Sequence, residues 1–375
     1  MPRLYIVVNE DRFFLSHRLA VATAALREGW EVVVVCKDTG RRGEIEEQGL
    51  HFVELPINPT GMRPAEEWRT LRFLCRLYKR ERPDIVHHVG LKAILWGSIA
   101  AKLAHMSGGV VNAFCGLGVL FAAQRLSLKA RGIMGLMGWA FRGLRCVAIF
   151  QNTEDRQLFI ERGVVKAEDC EYIKGSGVDL QAYSYVPAPQ EGRVRVLFTA
   201  RMVREKGVFT LTEAAEQLRE QMEGRVEFLL CGGLSANPGA LTQEELEQRC
   251  DGDYIQWLGY RDDVRELLQS SHIMAFPSYY REGLPLSLIE AAATGRPIVS
   301  TRSVGCQDAV DDGVTGFLVP PRDATALAER LRRLILDPAL RERMGKAGRE
   351  KAEREFSLGD VVSRHLSIYQ RLQKG

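Results

Sequence analysis

The sequence predicts two successive α/β domains, each a parallel sheet wrapped by crossover helices, followed by a helical tail. Three observations lead there. Short β-branched runs alternate with longer amphipathic stretches, the pattern of parallel strands joined by helices. The alternation breaks at Pro187-Ala-Pro-Gln-Glu-Gly192, a proline and glycine stretch with no apolar periodicity, and then restarts. The length of 375 residues suits two domains, each able to bury its own core. The expected boundaries are 1–186, 187–355 and a C-terminal helix, 356–375, that packs back on the first domain.

In the first half the strand-like runs are 4–9, 31–36, 51–55, 84–88, 109–113, 147–151 and 171–174, with amphipathic segments at 13–27, 66–80, 91–105 and 153–162 between them. The second half opens with 193–200 and continues through 226–231, 254–258, 272–276, 297–300 and 316–319. Beyond Asp323 the pattern is helical to the end, with Pro338 and Ser357 as restart points.

Composition removes whole classes of function. Hydrophobic residues make up 46% and charged residues 26%, ordinary values for a globular protein and wrong for a disordered chain. The 51 basic and 48 acidic residues leave a formal charge of +3, which argues against a nucleic-acid binder. Eight cysteines without a CxxC pair read as buried reduced thiols. The longest run free of charge, 103–124, is broken by four glycines and polar residues, a poor candidate for a bilayer span. Met1-Pro2-Arg3 runs straight into a strand-like stretch and does not read as a signal peptide.

A dinucleotide-binding reading fails. The first turn, Asn9-Glu-Asp-Arg-Phe-Phe14, has no glycine, the GxG pairs Gly116/Gly118 and Gly175/Gly177 lack a third, and no P-loop is present. The informative block is Phe276-Pro-Ser-Tyr-Tyr-Arg-Glu282-Gly-Leu-Pro-Leu-Ser-Leu-Ile-Glu290, closing at Gly295 before Pro297. A strand ends at Phe276, and Pro285 suits the first turn of a helix. Free N–H groups near 283–286, with the helix dipole behind them, can hold a phosphate oxygen without side-chain charge. Glu290 lies about a turn and a half into the helix, too far to cap it, where its carboxylate can accept from vicinal ribose hydroxyls. Glu282 in the loop faces whatever hangs from the phosphate. Arg201 and Lys206 follow the first strand of the second domain, in Arg201-Met-Val-Arg-Glu-Lys206-Gly207, and can neutralise a diphosphate leaving group. Taken singly these acids and bases are ordinary surface charge; the joint pattern of strand, glycine, proline and basic pair is what carries the reading.

At these residues the sequence resembles the retaining GT-B glycosyltransferases of family four. The resemblance covers nearly the whole second domain: the Arg-x4-Lys pair, Trp257-Leu-Gly259-Tyr260, Pro277-Ser278, the Glu-x7-Glu block, Gly305-Cys306 and Gly313-Val-Thr-Gly316-Phe-Leu-Val-Pro320. It implies two Rossmann-like domains with parallel sheets facing across a cleft, and transfer of a sugar from a UDP-sugar, a UDP-N-acetylhexosamine or UDP-hexose, with retention. It further implies that Arg201 and Lys206 hold the diphosphate, and that Glu282, with the amides of Gly283 and Leu284, meets the sugar. Glu290 would take the ribose, with Gly259 and Tyr260 beside the base. No cofactor and no metal are implied; the lone D-x-D, Asp251-Gly-Asp253, reads as a polar turn. The first domain resembles a subgroup that builds bacterial polysaccharides or lipid-linked oligosaccharides, through Asn9 with Phe13-Phe-Leu-Ser-His-Arg18, His87-His88-Val-Gly-Leu-Lys92 and Gly116-Leu-Gly118. His87, His88, Lys92, Gly116 and Gly118 are thereby acceptor-side candidates. One departure stands out: where many members place a histidine at the end of the fifth strand, this chain has Asn112-Ala-Phe-Cys-Gly116.

Segment 121–145 carries Arg125, Lys129, Arg131, Arg142 and Arg145 and no acid, interleaved with apolar residues that include Leu128, Leu136 and Trp139. It reads either as a core helix pair with a solvated rim or as a patch lying on an anionic membrane. The second reading fits a polyprenyl-diphosphate-linked acceptor and a peripheral place on the inner face of the cytoplasmic membrane. Two alternatives share the fold: an enzyme like UDP-GlcNAc 2-epimerase, which needs an acid/base set not evident here, and a non-catalytic nucleotide-sugar-binding protein.

Overall fold

The computed structural model describes residues 1–374 apart from 60, 62, 119–120, 122–126 and 236–238. The chain forms two compact units. The first contains β1 (Arg3–Glu10), α1 (Asp11–His17), α2 (Leu19–Arg27), β2 (Glu31–Lys37), α3 (Arg42–Glu46), β3 (His51–Glu54), α4 (Pro64–Glu81), β4 (Ile85–Val89), α5 (Leu91–Leu103), β5 (Gly109–Phe114), α6 (Leu128–Phe141), β6 (Cys146–Phe150), α7 (Thr153–Glu161) and β7 (Cys170–Tyr172). Its seven strands are all parallel in the order β3-β2-β1-β4-β5-β6-β7. A parallel sheet is covered on both faces, so its strands read as continuous apolar runs rather than alternating ones. In β1, Tyr5 and Val7 join the cluster under α4, α5, α6 and α7, while Leu4, Ile6 and Val8 join the cluster under α1 and α2.

The second unit contains β8 (Val194–Thr199), α8 (Val208–Met222), β9 (Val226–Cys231), α9 (Gln243–Glu247), β10 (Ile255–Gly259), α10 (Val264–Ser270), β11 (Ile273–Phe276), α11 (Leu286–Thr294), β12 (Ile298–Thr301), α12 (Cys306–Ala309), β13 (Gly316–Val319), α13 (Ala324–Leu336) and α14 (Pro338–Glu355). Its six strands are parallel in the order β10-β9-β8-β11-β12-β13. The strand order reverses between β8 and β11. In open parallel sheets the loops leaving such a switch point diverge and leave room for a ligand.

The last helix, α15 (Leu358–Lys374), belongs to the first unit. Its Val361, Leu366, Ile368, Tyr369 and Leu372 join the apolar cluster of β1, β2 and α2. The division falls at Ser176/Gly177 rather than at the proline–glycine break after residue 186. The reason is local: the Val178 amide bonds the Phe356 carbonyl at 2.8 Å, and Arg349 of α14 holds the carbonyls of Leu180 and Tyr183 at 3.2 and 2.7 Å. All eight cysteines are free. No described helix is long and apolar enough to cross a membrane.

Candidate functional site

Two loops leave the switch point of the second unit and are stitched together. After β8 the chain passes Arg201, makes a 3-10 turn at Arg204–Lys206 and enters α8 through Gly207. After β11 it passes Pro277 to Pro285 and enters α11. The Glu205 carbonyl accepts from the amides of Tyr279 and Tyr280, at 2.9 and 3.2 Å. Gly207 sits at φ +85°, and a Cβ there would lie 2.1 Å from the Pro277 carbonyl oxygen, so only glycine lets the two loops approach this closely.

This stitching brings together two of the residues singled out in the sequence. Lys206 Nζ pairs with Glu282 Oε1 at 2.5 Å, their side chains only 13% and 11% exposed. Lys206 also lies 5.4 Å from the Phe276 ring centroid and 5.3 Å from that of Tyr280, so aromatic faces flank the ammonium. The Ser278 hydroxyl, fully buried, is 3.0 Å from the same Glu282 oxygen and receives the Tyr280 amide at 3.2 Å. Burial, then the Glu282 charge, raise the Tyr280 hydroxyl above its usual range. Behind Glu282 stands Cys306, its thiol pushed up to about 12 by burial first and by Glu282 second. Gly305 explains the Gly-Cys pair of the motif: at φ +81°, its Cβ would lie 2.2 Å from the Gly283 carbonyl oxygen.

Gly283 and Leu284 are buried beside Glu282, and Pro285 precedes α11 without a side-chain cap. The first-turn amides of Leu286 and Ser287 therefore have no intrahelical acceptor. The helix ends at Gly295 in the left-handed region, φ 80°, as the sequence suggests. Arg201 is exposed and has no acid within ion-pair distance among the described residues. Glu290 is partly exposed, and its carboxyl is raised to about 7 because burial disfavours the charge, offset in part by a hydrogen bond from Tyr183. Gly259 closes β10, two strands from β8 at the same carboxyl-terminal edge, and Tyr260 beyond it is 60% exposed with its hydroxyl 2.8 Å from Asp262.

Two supporting residues escaped the sequence reading. Ser278 stood in the motif but carried no assignment. Tyr183 lay on the far side of the expected domain boundary, and nothing local ties it to Glu290. The Asp251-Gly-Asp253 turn is structural: Asp251 Oδ1 accepts three backbone amides, of Asp253, Tyr254 and Ile255, at 2.8–3.1 Å, and Oδ2 pairs with Arg219 at 2.6 Å.

The acceptor-side candidates in the first unit need correction. His87 and His88 are not groups at a strand exit but lie inside β4, fully buried. His87 Nδ1 meets the Tyr369 hydroxyl of α15 at 2.6 Å, while His88 bridges Tyr78 at 3.0 Å and Asn112 at 2.8 Å. Burial holds His87 well below its ordinary value and His88 at about 4, so both are neutral. Asn112, the departure noted above, also accepts from Ser98 at 3.1 Å. Lys92 is likewise committed: its Nζ pairs with Glu67 at 2.6 Å and donates to the carbonyls of Asn58 and Gly61 at 2.5 and 2.6 Å. His87 and His88 are thus uncharged and enclosed by the fold, and the Lys92 ammonium is paired with Glu67. Gly116 and Gly118 occupy the loop after β5 at φ 95° and 64°.

In segment 121–145, Arg125 and Leu126 lie outside the described residues. Among the described residues of the segment, α6 spans Leu128–Phe141. Its inner face buries Ala130, Met134, Met137 and Ala140, while Leu128 is 83%, Trp139 42% and Leu136 39% exposed.

Comparison with known proteins agrees with this architecture. Residues 183–351 match the family model "Glycosyl transferases group 1", and residues 3–152 match "Glycosyl transferase 4-like". The chain is 25% identical, over 96% of its length and 98% of the relative's, to an N,N'-diacetylbacillosaminyl-diphospho-undecaprenol alpha-1,3-N-acetylgalactosaminyltransferase of Campylobacter jejuni. It is also 25% identical, over 91% of its length and 89% of the relative's, to a UDP-Gal:alpha-D-GlcNAc-diphosphoundecaprenol alpha-1,3-galactosyltransferase of Escherichia coli. Among solved structures, sucrose-phosphate synthase from Thermosynechococcus elongatus superposes with a TM-score of 0.78 at 22% identity, covering 99% of both chains. Anabaena HepE, solved in complex with UDP, gives 0.78 at 18% identity, covering 99% of this chain and 100% of its own. Two parallel-sheet units, the loops at the second unit's switch point and these matches together make the chain a GT-B glycosyltransferase that belongs to the group 1, 4-like family and stands close to the diphosphoundecaprenol-linked sugar transferases.

Proposed function

We propose that the protein moves a sugar, an N-acetylhexosamine or a hexose, from a UDP-sugar to a polyprenyl-diphosphate-linked acceptor with retention of anomeric configuration. The observation that carries the donor half is the Lys206–Glu282 pair, held at the switch point beside the uncapped start of α11. The diphosphate lies against Lys206, Arg201 and the first amides of α11, where fixed positive charge stabilises the leaving group as the glycosidic bond breaks. Glu282, with the amides of Gly283 and Leu284, contacts the sugar. Glu290 accepts from the ribose hydroxyls, and Gly259 and Tyr260 flank the base. Lys206 needs no large movement to serve: it exchanges part of its attraction to Glu282 for the incoming phosphate.

The acceptor half is supported by the two relatives whose names specify diphosphoundecaprenol-linked sugars. The outward apolar and basic face of α6 supports a peripheral place on an anionic membrane, where such an acceptor resides. The test is incubation with a panel of UDP-sugars and lipid-linked acceptors, scoring UDP release, product mass and the anomeric configuration of the new bond. Epimerised UDP-sugar with the acceptor untouched would reverse the assignment, and an inverted linkage would refute retention.

A further inference from the structure

Among the described residues, three other than glycine adopt a positive φ: Arg82 at 46°, His105 at 52° and Arg322 at 63°. The first two lie just past the ends of α4 and α5, where helices commonly close in the left-handed region. Arg322 has no such setting. It stands between β13 and α13, in Pro320-Pro321-Arg322-Asp323, where the chain turns from strand end to helix start and Asp323 caps α13 through the Ala326 amide at 2.8 Å. A glycine takes this φ without strain, whereas any side chain is disfavoured there. Arg322 holds it with its side chain exposed and with no acid at ion-pair distance among the described residues.

The strained turn reaches the donor loop. The Arg322 guanidinium carbon lies 4.2 Å from the ring centroid of Tyr279, so the cation rests against an aromatic face. Tyr279 belongs to the loop that carries Glu282, and its amide donates to the Glu205 carbonyl at 2.9 Å. Glu205 precedes Lys206, so this hydrogen bond is part of the stitch that sets Lys206 beside Glu282. The same loop is held by the Thr301 hydroxyl, which donates to the Ser278 carbonyl, and by the Glu282 amide, which donates to the Val304 carbonyl at 3.3 Å. These contacts leave the Tyr279 side chain partly exposed, and Arg322 adds one more, from the loop leaving β13. Stability alone does not account for the arginine: a cation on a ring at an exposed site stabilises by no more than the backbone conformation costs.

We propose that Arg322 is a positioning residue for the donor, bracing through the Tyr279 ring the loop that sets Lys206 beside Glu282; this rests on the donor reading given above. The physical reason is preorganisation. A loop held in its binding conformation before the ligand arrives uses none of the binding energy for ordering. A loop that visits other conformations binds more weakly, in proportion to the time it is away. Arg322 touches no substrate; it acts through Tyr279, the Glu205 carbonyl and Lys206. Its signature is therefore weaker donor affinity with turnover at saturation retained. Loss of folded protein would do the opposite, lowering turnover and leaving KM alone.

The experiment compares the parent chain with R322G and R322N, which the left-handed conformation accepts, and with R322K, which keeps the cation. Y279F, Y279L and the double variant R322G/Y279L complete the set. UDP affinity is read by titration calorimetry, donor KM and kcat by sugar transfer, and the Tyr279 and Tyr280 amides by hydrogen exchange. R322G and R322N melt within about 3 °C of the parent, because relieved backbone strain offsets the lost contact. Both bind UDP about threefold to fivefold more weakly, raise the donor KM by the same factor, keep kcat, and exchange the two amides faster. R322K and Y279F stay within about 1.5-fold of the parent, since each keeps a cation on a ring. Y279L matches R322G, and the double variant is no weaker than either, because each substitution removes the same contact. The inference is overturned if R322G and R322N bind UDP and protect both amides like the parent, if R322K weakens as much as R322G, or if the two losses multiply in the double variant. A fall in kcat with KM unchanged would make Arg322 merely structural and overturn it equally. Failure of the donor reading looks different: the parent itself then binds no UDP, which overturns both, whereas the other outcomes overturn the brace alone.

Discussion

Glu290→Gln should separate stability from donor binding. In the folded chain the Glu290 carboxyl is raised from 4.5 to about 7, because burial disfavours its charge more than the Tyr183 hydroxyl supports it. In the unfolded chain it ionises near its ordinary value, so between about pH 4.5 and 7 the fold binds the proton and the unfolded chain does not. Stability from this group is thus intact below about pH 4.5, falls as pH rises, and is fully lost above about pH 7. A carboxyl raised from 4.5 to about 7 makes the deficit about 3 kcal/mol at pH 8.5. Glutamine keeps the shape and a hydrogen-bond acceptor for Tyr183 but carries no charge. The variant should therefore be more stable than the parent by up to about 3 kcal/mol at pH 8.5, and nearly equal to it at pH 4.5.

Urea denaturation of both proteins across that range is the assay, because every other titrating group cancels in the difference. A stability gap that stays constant with pH would refute the claim that burial holds this carboxyl up. The same substitution tests the ribose assignment. If the carboxylate accepts from ribose hydroxyls, losing its charge weakens nucleoside binding by roughly 1.5–3 kcal/mol. Parent affinity should also rise as pH passes through about 7, since only the ionised form accepts both hydroxyls. Uridine is the suitable ligand, as it brings no phosphate proton of its own. Unchanged uridine affinity in the variant would place the ribose elsewhere.

Lys206→Ala and Glu282→Ala should each abolish most transfer while the protein stays folded; near-parental turnover in either would show the donor assignment to be wrong. Glu282→Ala also strands the Lys206 ammonium between two aromatic rings, so a stability loss of roughly 1–3 kcal/mol accompanies it, read by thermal melting. Gly207→Ala should cost roughly 2 kcal/mol or more, because φ +85° and a 2.1 Å approach to the Pro277 oxygen both forbid a Cβ; transfer falls with it as Lys206 is displaced, and a neutral result would mean the loops can separate freely. Acid should loosen the first unit. His88 and His365 are depressed to about 4 and about 3 by burial, so each contributes stability present above about pH 6.5 and lost as pH falls toward those values. Hydrogen exchange at pH 5 and 7 reads this in β4 and α15, and equal protection at the two values would contradict it.

The fold was legible where the chemistry is local. Parallel strands covered on both faces announce themselves as Val and Ile runs, and Gly295 and Pro297 mark the end of α11 and the start of β12 in the residues themselves. The donor loops were legible for a related reason: both lie within a few residues of a strand end, and their glycines are demanded by backbone approach. The first unit was less open to such reading. A histidine pair in a β-branched run looks the same whether it ends a strand or sits inside one. What decides the matter for His87 is Tyr369, 282 residues away in sequence. The basic residues of α4 are present in the letters, but the exposure of Arg69, Arg72, Arg76 and Lys79 depends on the sheet burying Thr70, Leu71, Leu74, Leu77 and Tyr78 of the same helix.

The same long-range logic sets a last expectation. The division at Ser176/Gly177 and Ser357/Leu358 means that the first unit is built from two separate stretches and that the second begins before the proline–glycine break. Tyr183, which supports Glu290, arrives from before that break, and Tyr369, which meets His87, arrives from the end of the chain. A chain ending at Ser357 keeps every residue of the second unit and every strand of the first. It loses α15, and with it Val361, Leu366, Ile368 and Leu372 from the first unit's cluster. At roughly 1.5–3 kcal/mol for each aliphatic side chain, that is about 6–12 kcal/mol as an upper bound, comparable to the whole stability of a domain. It also exposes His87, whose neutral state depends on being covered. The truncated chain should therefore melt its first unit at a markedly lower temperature while the second still binds UDP. If β1 and β4 keep full hydrogen-exchange protection without α15, the helix is an accessory, and the burial that silences His87 has another source.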